Sequence, residues 1–219
     1  MSHELHAWPA AHIHLARIGA DIVVLDTAGD AYTCLVGGAE HLQLLTDGRI
    51  RMTQNGVLED LTAAGWVDPS AAAATRERRR FQTPIRSLNA EPSGFALRLL
   101  PLGLQMLATT TWMHEQPLSE ILDAARRLRP ADRKPDGAIT VDRTIGAFET
   151  VRPWLPGQGL CLQRAFSLLS CLARRGVPVD WVFGVRTWPF AAHCWLQQGD
   201  TVLADDLDRV LGFTPILIV

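Results

Sequence analysis

The chain has 219 residues, of which 47% are hydrophobic and 20% charged, and its formal net charge is −2. This composition is too apolar for a disordered chain, and the length suffices for one large domain or two small ones. The near-zero charge disfavours a whole-molecule role in polyanion binding. No apolar run approaches the roughly 18 residues that a membrane span requires, and the polar first residues show no signal peptide, so we expect a cytoplasmic protein.

The first segment of the chain is predicted to fold as three strands followed by two helices. Three runs rich in β-branched residues are separated by turn residues: His12–Ile18, Asp21–Asp26 and Ala31–Val36. Gly37 and its glycine neighbour are expected to open a helix to about Thr46, and Thr53 to cap a second helix that ends before Gly65. The pattern therefore predicts a small β-β-β-α-α domain over residues 1–69.

The rest of the chain is predicted to be a linker followed by a helical and then a β-rich region. Residues 70–93 carry an arginine run and two proline-containing turns, which is typical of a connector that is helical at first and extended later. Apolar residues at helical spacing predict four helices: Phe95–Thr110 (interrupted by Pro101), Leu118–Leu128, Asp142–Arg152 and Leu160–Arg175. Four strands are expected after them: Val177–Val185, Ala191–Gln197, Thr201–Asp205 and Pro215–Val219. Helices first and an antiparallel sheet last is the order of an α+β fold, expected over residues 94–219.

One cysteine is placed where a thiol can be a nucleophile. The chain has four cysteines, too few and too irregularly spaced for a disulfide framework, so they are expected to be thiols of a cytoplasmic protein: Cys34, Cys161, Cys171 and Cys194. Cys161 follows a turn-forming segment and begins an apolar-faced helix, where the positive end of the helix dipole lowers a thiol pKa. Cys34 and Cys171 lie inside a predicted strand and helix and are expected to be small core residues. Cys161 is therefore the candidate nucleophile.

A nucleophilic thiolate needs a base and a group that orients the base, and a register argument supplies both. If the strands on either side of Gly199 form a hairpin centred on that residue, His193 lies directly opposite Asp205. Opposed side chains on one face have Cβ atoms roughly 4.5–5.5 Å apart, within reach of an imidazole–carboxylate hydrogen bond. Asp206 would point to the other face, and a one-residue slip of the register would exchange the two aspartates.

An acyl-transfer site also needs donors for its oxyanion. The backbone N–H of Cys161 is the natural first donor at a helix N-terminus, and the Gln158 side chain is a second candidate that could equally be a turn residue. Zinc binding by Cys161, His193 and Cys194 is disfavoured because adjacent residues of a strand point to opposite faces. The chain has neither a phosphate-binding loop motif nor a dinucleotide fingerprint, so no metal and no nucleotide cofactor is expected.

Two motifs carry a resemblance to a known family. They are Cys161-Leu162-x-Arg164-Ala165 on the predicted helix and Pro189-Phe190-x-Ala192-His193-x-Trp195 on the predicted strand. With Asp205 downstream, they resemble the transglutaminase-like cysteine proteases of lasso-peptide biosynthesis, the B proteins that remove the leader of a ribosomally made precursor. The resemblance implies a transglutaminase- or papain-like peptidase domain. In it Cys161 is the nucleophile, His193 the general base and acid, and Asp205 the residue that orients His193.

The same resemblance implies a partner and shows two departures. The partner is a cyclase that uses ATP to form the macrolactam, and the ATP site is expected to belong to that protein. Cys194 stands where a small residue such as alanine is usual in the family, and Gln197 stands where glutamate is common. Neither departure falls on the three residues implied to carry the chemistry.

The first 69 residues resemble a small winged-helix module that recognises precursor peptides, similar to the peptide chaperone of pyrroloquinoline quinone biosynthesis. The resemblance rests on Asp30-Ala31-Tyr32-Thr33 and on Leu58-x-x-Leu61-x-x-x-Gly65. Such modules accept the leader as an added strand beside their third strand and pack it against their last helix. The resemblance therefore implies leader contacts at six residues: Tyr32, Thr33, Cys34, Leu35, Leu58 and Leu61. The other interpretation is a domain that only packs.

Charge separates peptide binding from DNA binding for this module. Residues 1–69 hold three arginines, no lysine and nine acidic residues, a formal charge of −6. A winged helix that binds DNA needs cationic contacts to phosphates, so a peptide partner is expected rather than nucleic acid. Three functions remain open: a peptidase that cuts between leader and core, a transglutaminase-type acyltransferase that delivers the same thioester to an amine, and a non-catalytic adaptor that binds the leader.

Overall fold

The computed structural model describes residues 5–53, 55–68, 81–92, 94, 97–128, 137–155 and 160–219. The chain divides into two compact units. The first consists of Met1–Arg80, Val185–Ala191 and Thr214–Ile216, and the second of Phe81–Gly184, Ala192–Phe213 and Leu217–Val219. Within the described ranges, no helix is both long and apolar enough to cross a bilayer.

The first unit is built mainly from short strands. Its elements are, in chain order, β1 Leu5–Pro9, β2 Ile13–Ile18, β3 Asp21–Asp26, β4 Ala31–Leu35, β5 Leu42–Leu44, β6 Ile50–Met52, α1 Asn55–Ala63 and β7 Val67–Asp68. Strands β2, β3 and β4 form an antiparallel meander with β4 at one edge. The other strands form a second sheet in the order β5-β6-β1-β7. Both sheets and α1 share one hydrophobic core, to which Ile13, Ile22, Ile50 and Leu61 belong.

The helix predicted from Gly37 to Thr46 is wrong. Only a short 3-10 turn forms there, over Gly38–Glu40, and the chain continues as β5. The physical reason is the alternation Leu42-Gln43-Leu44, in which Leu42 is 3% exposed and pairs with Met52 of β6. Burial of every second residue beside a neighbouring strand outweighs the weak helical preference of the segment. The described residues of this unit therefore hold one α-helix, and not the two of the predicted β-β-β-α-α order.

The second predicted helix is present as α1, and it ends where its sequence indicates. Gly65 adopts a left-handed conformation with φ of 71°. The Trp66 N–H donates to the Leu61 carbonyl and the Gly65 N–H to the Thr62 carbonyl, which is the hydrogen-bond pattern of a Schellman cap. A glycine just past the last turn thus stops the helix and returns the chain to β7.

The remaining elements place helices before most of a five-stranded sheet, as the α+β prediction expects. They are, in chain order, β8 Arg86–Leu88, α2 Leu100–His114, α3 Leu118–Arg127, α4 Gly137–Val151, α5 Cys161–Arg174, β9 Asp180–Arg186, β10 Ala191–Gln198, β11 Thr201–Leu203, α6 Leu207–Leu211 and β12 Thr214–Ile218. The strand order is β12-β9-β10-β11-β8. Strand β11 pairs antiparallel with β10 and parallel with β8, so the sheet is mixed.

Two predictions for this region are corrected by the structure. Residues 70–80 and 93 of the predicted linker lie outside the described residues, but Arg86–Leu88 is a strand rather than a connector, because its backbone pairs with β11. Pro101 lies in the first turn of α2 and does not interrupt the helix. A proline at that place removes only an N–H that has no partner inside the helix, so it is tolerated there.

Helix α5 is held against the sheet by aromatic packing. The rings of Trp112, Phe166 and Trp181 form a series with centroids 5.7 Å and 5.6 Å apart, which links α2, α5 and β9. Trp181 is fully buried, as are Leu168 and Leu172 on α5. This packing fixes the start of α5 beside β10 and the end of β11, where one cavity is lined by residues of all three elements.

Gly184 on β9 lies where the packing leaves no room for a side chain. A methyl group there would lie 2.7 Å from Trp195 Cζ3 and 2.9 Å from Phe213 Cβ. We predict that Gly184→Ala destabilises the protein by roughly 1–3 kcal/mol, the usual cost of overpacking, and lowers the urea midpoint of tryptophan fluorescence. Gly103→Ala on α2 is the matched control, because its methyl meets Val151 at an ordinary 3.5 Å. An unchanged midpoint in Gly184→Ala would contradict the prediction.

Candidate active site

Cys161 is the first residue of helix α5. Leu160 before it is extended, with φ of −88° and ψ of 129°, and no side chain caps the helix. The first backbone N–H groups of α5 therefore have no partner inside the helix, and the thiol of Cys161 lies at the positive end of the helix dipole. The backbone N–H of Cys161 is one of these groups. It is therefore available to donate to an oxyanion, as an acyl-transfer site requires.

His193 and Asp205 meet, although not through the predicted register. Nε2 of His193 lies 2.8 Å from Oδ2 of Asp205, and the two side chains are only 11% and 10% exposed. The strands, however, pair Gln198 with Thr201 across a two-residue turn. The predicted register is therefore wrong by one residue, and an unbroken ladder would place Asp206 opposite His193.

Ala204 is the residue that brings Asp205 to His193. Strand β11 ends one residue earlier, and Ala204 has a left-handed backbone with φ of 53°, which turns the chain out of the ladder. This conformation costs roughly 1–2 kcal/mol for a residue with a Cβ, so its surroundings must hold it. The Ala204 N–H donates to the Leu88 carbonyl over 2.9 Å, and the Arg164 guanidinium donates to the Ala204 carbonyl.

Arg164 connects the helix of the candidate nucleophile to the aspartate. It lies one turn after Cys161 on α5, and besides the Ala204 carbonyl it bonds the Glu149 carboxylate of α4 at 3.2 Å. Burial raises the pKa of Asp205, but the hydrogen bond from His193 and the charge of Arg164 bring that pKa below its usual range. The sequence signal for Arg164 is its position three residues after Cys161, which places both on the same face of the helix.

Cys161 and His193 form a thiolate–imidazolium pair. Hydrogen bonds from Cys194 and His193 outweigh burial and lower the pKa of Cys161 to about 4. Burial lowers the pKa of His193, but hydrogen bonds to Asp205 and Cys161 outweigh it and raise the pKa to about 9. With Asp205 on Nε2, Nδ1 is the ring nitrogen that remains for the thiolate. From about pH 4 to about pH 9 the site therefore holds a thiolate beside an imidazolium, the charge states that a cysteine nucleophile and its acid require.

Cys194 supports the thiolate, a role that sequence reasoning missed. Hydrogen bonding by its thiol and by its backbone N–H helps to lower the pKa of Cys161. Cys194 is 3% exposed, and burial together with the neighbouring thiolate holds its own pKa well above the usual range, so it stays protonated and remains a donor. His193, the adjacent residue, also hydrogen-bonds the sulfur of Cys161. The alternation of a strand predicts instead that adjacent side chains face opposite sides.

The other two cysteines have the opposite environment. Burial raises the pKa of Cys171 to about 11. Burial and the charge of Asp21 raise the pKa of Cys34 above its ordinary value. Both thiols therefore stay protonated near neutral pH, unlike Cys161, which remains the candidate nucleophile.

A cavity of about 400 Å³ opens beside the Cys161 thiol, within the size range of small-ligand sites. His193, Cys194 and Ala204 line it, together with three arginines: Arg152, Arg164 and Arg209. Aromatic rings flank the imidazole, since Trp195 and Phe213 have ring centroids 6.1 Å and 5.4 Å from that of His193. The arginines and Glu149 are functional candidates that sequence spacing does not connect, because they come from three different helical segments.

Two glutamines singled out by the sequence have different outcomes. Gln158, the candidate side-chain oxyanion donor, lies outside the described residues and stays a prediction. Gln197 is 3% exposed, and its amide donates to the carbonyls of Gln82 and Gly199 at 2.6 Å and 2.7 Å, while its oxygen accepts from Trp195 Nε1 at 3.2 Å. A glutamate could not donate the first two bonds, so Gln197 ties the hairpin to the segment before β8.

The predicted leader-binding residues divide into an edge strand and a core. Four of the six lie on β4, at an edge of the β2-β3-β4 sheet: Tyr32, Thr33, Cys34 and Leu35. Within the first unit, the Tyr32 ring lies 5.7 Å from that of Phe190. Leu61 is 6% exposed and belongs to the core, which leaves its side chain no surface for a peptide. Leu35 and Leu58 are partly buried against that core.

A thiolate at a helix start, paired with a histidine that an aspartate holds, is the arrangement of cysteine hydrolases and thioester-forming acyltransferases. Within the residues that the structure describes, no three metal-ligating side chains gather into a metal site. Residues 104–218, more than half of the chain, match the transglutaminase-like superfamily, and the chain belongs to that superfamily. The superfamily includes cysteine peptidases and acyltransferases. No curated protein and no solved structure matches the chain.

The pH dependence of thiol alkylation tests the role of Cys194. We predict that iodoacetamide modifies Cys161 at a rate that rises as the pH passes about 4, where the thiolate forms. Cys194→Ala is expected to move this rise to higher pH, because the thiolate loses a thiol donor and keeps only His193 and the backbone N–H of residue 194. Mass spectrometry of the peptide that contains Cys161 measures the rate. Cys171→Ala should leave the profile unchanged, and an unshifted profile in Cys194→Ala would contradict the assignment.

Proposed function

We propose that this chain is a cysteine peptidase that binds the leader of a ribosomally synthesised precursor and cleaves it from the core during lasso-peptide maturation. The observation that carries the proposal is the grouping of Cys161, His193 and Asp205, with the His193–Asp205 bond at 2.8 Å and the thiol pKa lowered to about 4. Membership of the transglutaminase-like superfamily fits this chemistry. The resemblance of the two sequence motifs to the lasso-peptide proteases supplies the substrate class.

The proposed reaction has two halves. The Cys161 thiolate attacks the carbonyl carbon of the scissile bond, and the backbone N–H of Cys161 donates to the developing oxyanion. Protonated His193 gives its proton to the leaving amine, so the core departs and the leader remains as a thioester on Cys161. Neutral His193 then takes a proton from the water that attacks the thioester. This step releases the leader acid and restores the thiolate–imidazolium pair, while Asp205 keeps His193 oriented.

Strand β4 is the proposed docking edge for the leader. It lies at the edge of the described β2-β3-β4 sheet, and Thr33 on it is exposed, so a peptide can be added as a further strand. The formal charge of −6 over residues 1–69 favours a peptide partner over a nucleic acid. Leu61 is left out of the proposed contact surface because it belongs to the core.

The proposal implies a division of labour with a second protein. The sequence has no phosphate-binding loop motif, so ATP-dependent ring closure is assigned to a partner macrolactam cyclase. The peptidase reaction itself uses no cofactor, since the thiolate, the imidazolium and the aspartate supply its chemistry. Both proteins are proposed to act in the cytoplasm, where cysteine thiols stay reduced.

Cleavage of a synthetic precursor tests the function. The protein is expected to convert a synthetic leader–core peptide of the lasso-peptide class into free leader and free core without ATP, as measured by mass spectrometry. Cys161→Ala and His193→Ala are each expected to lower the rate by a factor on the order of 10³ or more, because the two residues act as one unit. Cys171→Ala is the matched control and should cleave at the unaltered rate.

The same assay separates the alternative functions. Transfer of the leader to an added amine such as lysine, in place of release as the free acid, would identify a transglutaminase-type acyltransferase. Leader removal that survives Cys161→Ala would leave a non-catalytic peptide-binding role for the chain. Either result would overturn the peptidase proposal.

Leader docking on β4 is tested by photo-crosslinking. A benzoylphenylalanine that replaces Thr33 is expected to crosslink a synthetic leader peptide, because Thr33 is exposed on the proposed docking edge. The same photoreactive residue in place of Arg17 is the control, since Arg17 is exposed on β2 at the opposite edge of that sheet. Equal crosslinking at the two positions would argue against docking on β4.

A further inference from the structure

We propose that the cavity beside Cys161 binds a carboxylate group of the substrate through Arg209 and Arg152. The inference rests on the proposed peptidase function and adds a charge requirement to it. The cavity of about 400 Å³ is lined by Cys161 and by three arginines: Arg152, Arg164 and Arg209. Three guanidinium groups around one small cavity are the recognition chemistry of carboxylates.

Glu149 already occupies part of the hydrogen-bonding capacity of two of these arginines. Its carboxylate accepts from Arg152 Nε at 2.8 Å and from Arg164 at 3.2 Å. Arg164 is committed further, because it also donates to the Ala204 carbonyl. One carboxylate thus serves two guanidinium groups, and Arg152 retains donors for a ligand.

Arg209 is the most available of the three arginines. It is exposed, and among the residues that the structure describes its guanidinium has no hydrogen-bond or ion-pair partner. Its backbone is nevertheless fixed, since the Arg209 N–H donates to Oδ1 of Asp206, the N-cap of α6, at 2.8 Å. Asp205 is bonded to His193, and Asp208 does not line the cavity, so Arg209 remains open to a ligand.

The charges around the cavity leave one positive charge uncompensated. The cations are His193 and the three arginines, and the anions are Cys161, Asp205 and Glu149. A substrate carboxylate supplies the missing negative charge and can accept parallel hydrogen bonds from a guanidinium group. That carboxylate belongs either to an acidic side chain near the scissile bond or to the free end of a peptide chain, and the chemistry of recognition is the same.

Alkylation with a charged and a neutral reagent of similar size tests the cavity without a peptide. Iodoacetate carries a carboxylate and iodoacetamide its neutral counterpart, and in both cases the Cys161 thiolate displaces iodide. The ratio of the two rates cancels general changes in thiol reactivity. We expect Arg209→Gln to lower the iodoacetate-to-iodoacetamide ratio about 3-fold, the effect of removing one partly solvated charge.

Two further variants make this result decisive. Arg209→Lys keeps the charge and should retain most of the ratio. Arg174→Gln is the matched control, because Arg174 is exposed at the other end of α5, about 20 Å from Cys161. An unchanged ratio in Arg209→Gln, or an equal fall in Arg174→Gln, would overturn the proposal.

Protection by short peptides distinguishes the two sources of the carboxylate. An acetylated and amidated tetrapeptide with one glutamate offers a side-chain carboxylate, and the same peptide with glutamine and a free C-terminus offers a terminal one. Slower iodoacetamide labelling of Cys161 that depends on Arg209 identifies the source, and protection by neither peptide at millimolar concentration counts against the site. The protein could also show an iodoacetate-to-iodoacetamide ratio that depends on Arg209 and yet cleave no precursor. That result would overturn the proposed function and leave the carboxylate site standing.

Discussion

The hydrogen bond between His193 Nε2 and Asp205 Oδ2 depends on one turn of the backbone. The β10–β11 ladder alone would face His193 with Asp206, and the left-handed conformation of Ala204 is what presents Asp205. That conformation is held from two sides, since the Ala204 N–H bonds to β8 and the Ala204 carbonyl to Arg164 on α5. A three-residue parallel strand and the helix that begins with the thiol therefore both act on the position of one carboxylate.

The site balances its charges inside a partly buried volume. The thiolate of Cys161 is stabilised by Cys194 and His193, and the imidazolium of His193 by Asp205 and the thiolate. Removing one member would leave another charge buried without a partner, which is costly in a low-dielectric environment. Cys194 fits this scheme because it adds a hydrogen-bond donor without adding a charge.

Sequence reasoning predicts the region around Cys161 better than the first unit. The apolar spacing over Leu160–Arg175 predicts α5 to within a residue at each end, because a long buried helix has a strong period. A three-residue strand such as β5 has too few residues to show one, so it is mistaken for a helix. The His193–Asp205 pair follows from a register that is one residue off, since nothing in the sequence signals a left-handed alanine. The arginines of the cavity meet only through tertiary folding, which spacing does not show.

Two neighbouring carboxylates after β11 serve different elements. Asp205 holds His193 through Oδ2 and accepts from the Asp206 N–H through Oδ1, while Asp206 caps α6. A five-residue helix such as α6 has little stability of its own, and it is held by the Asp206 cap and by Val210, which is 1% exposed and belongs to the core. Because Asp205 and the N-cap of α6 are adjacent residues, we expect opening of α6 to disturb the bond to His193, and amide hydrogen exchange over Leu207–Leu211 to report on a site whose thiol lies in a different helix.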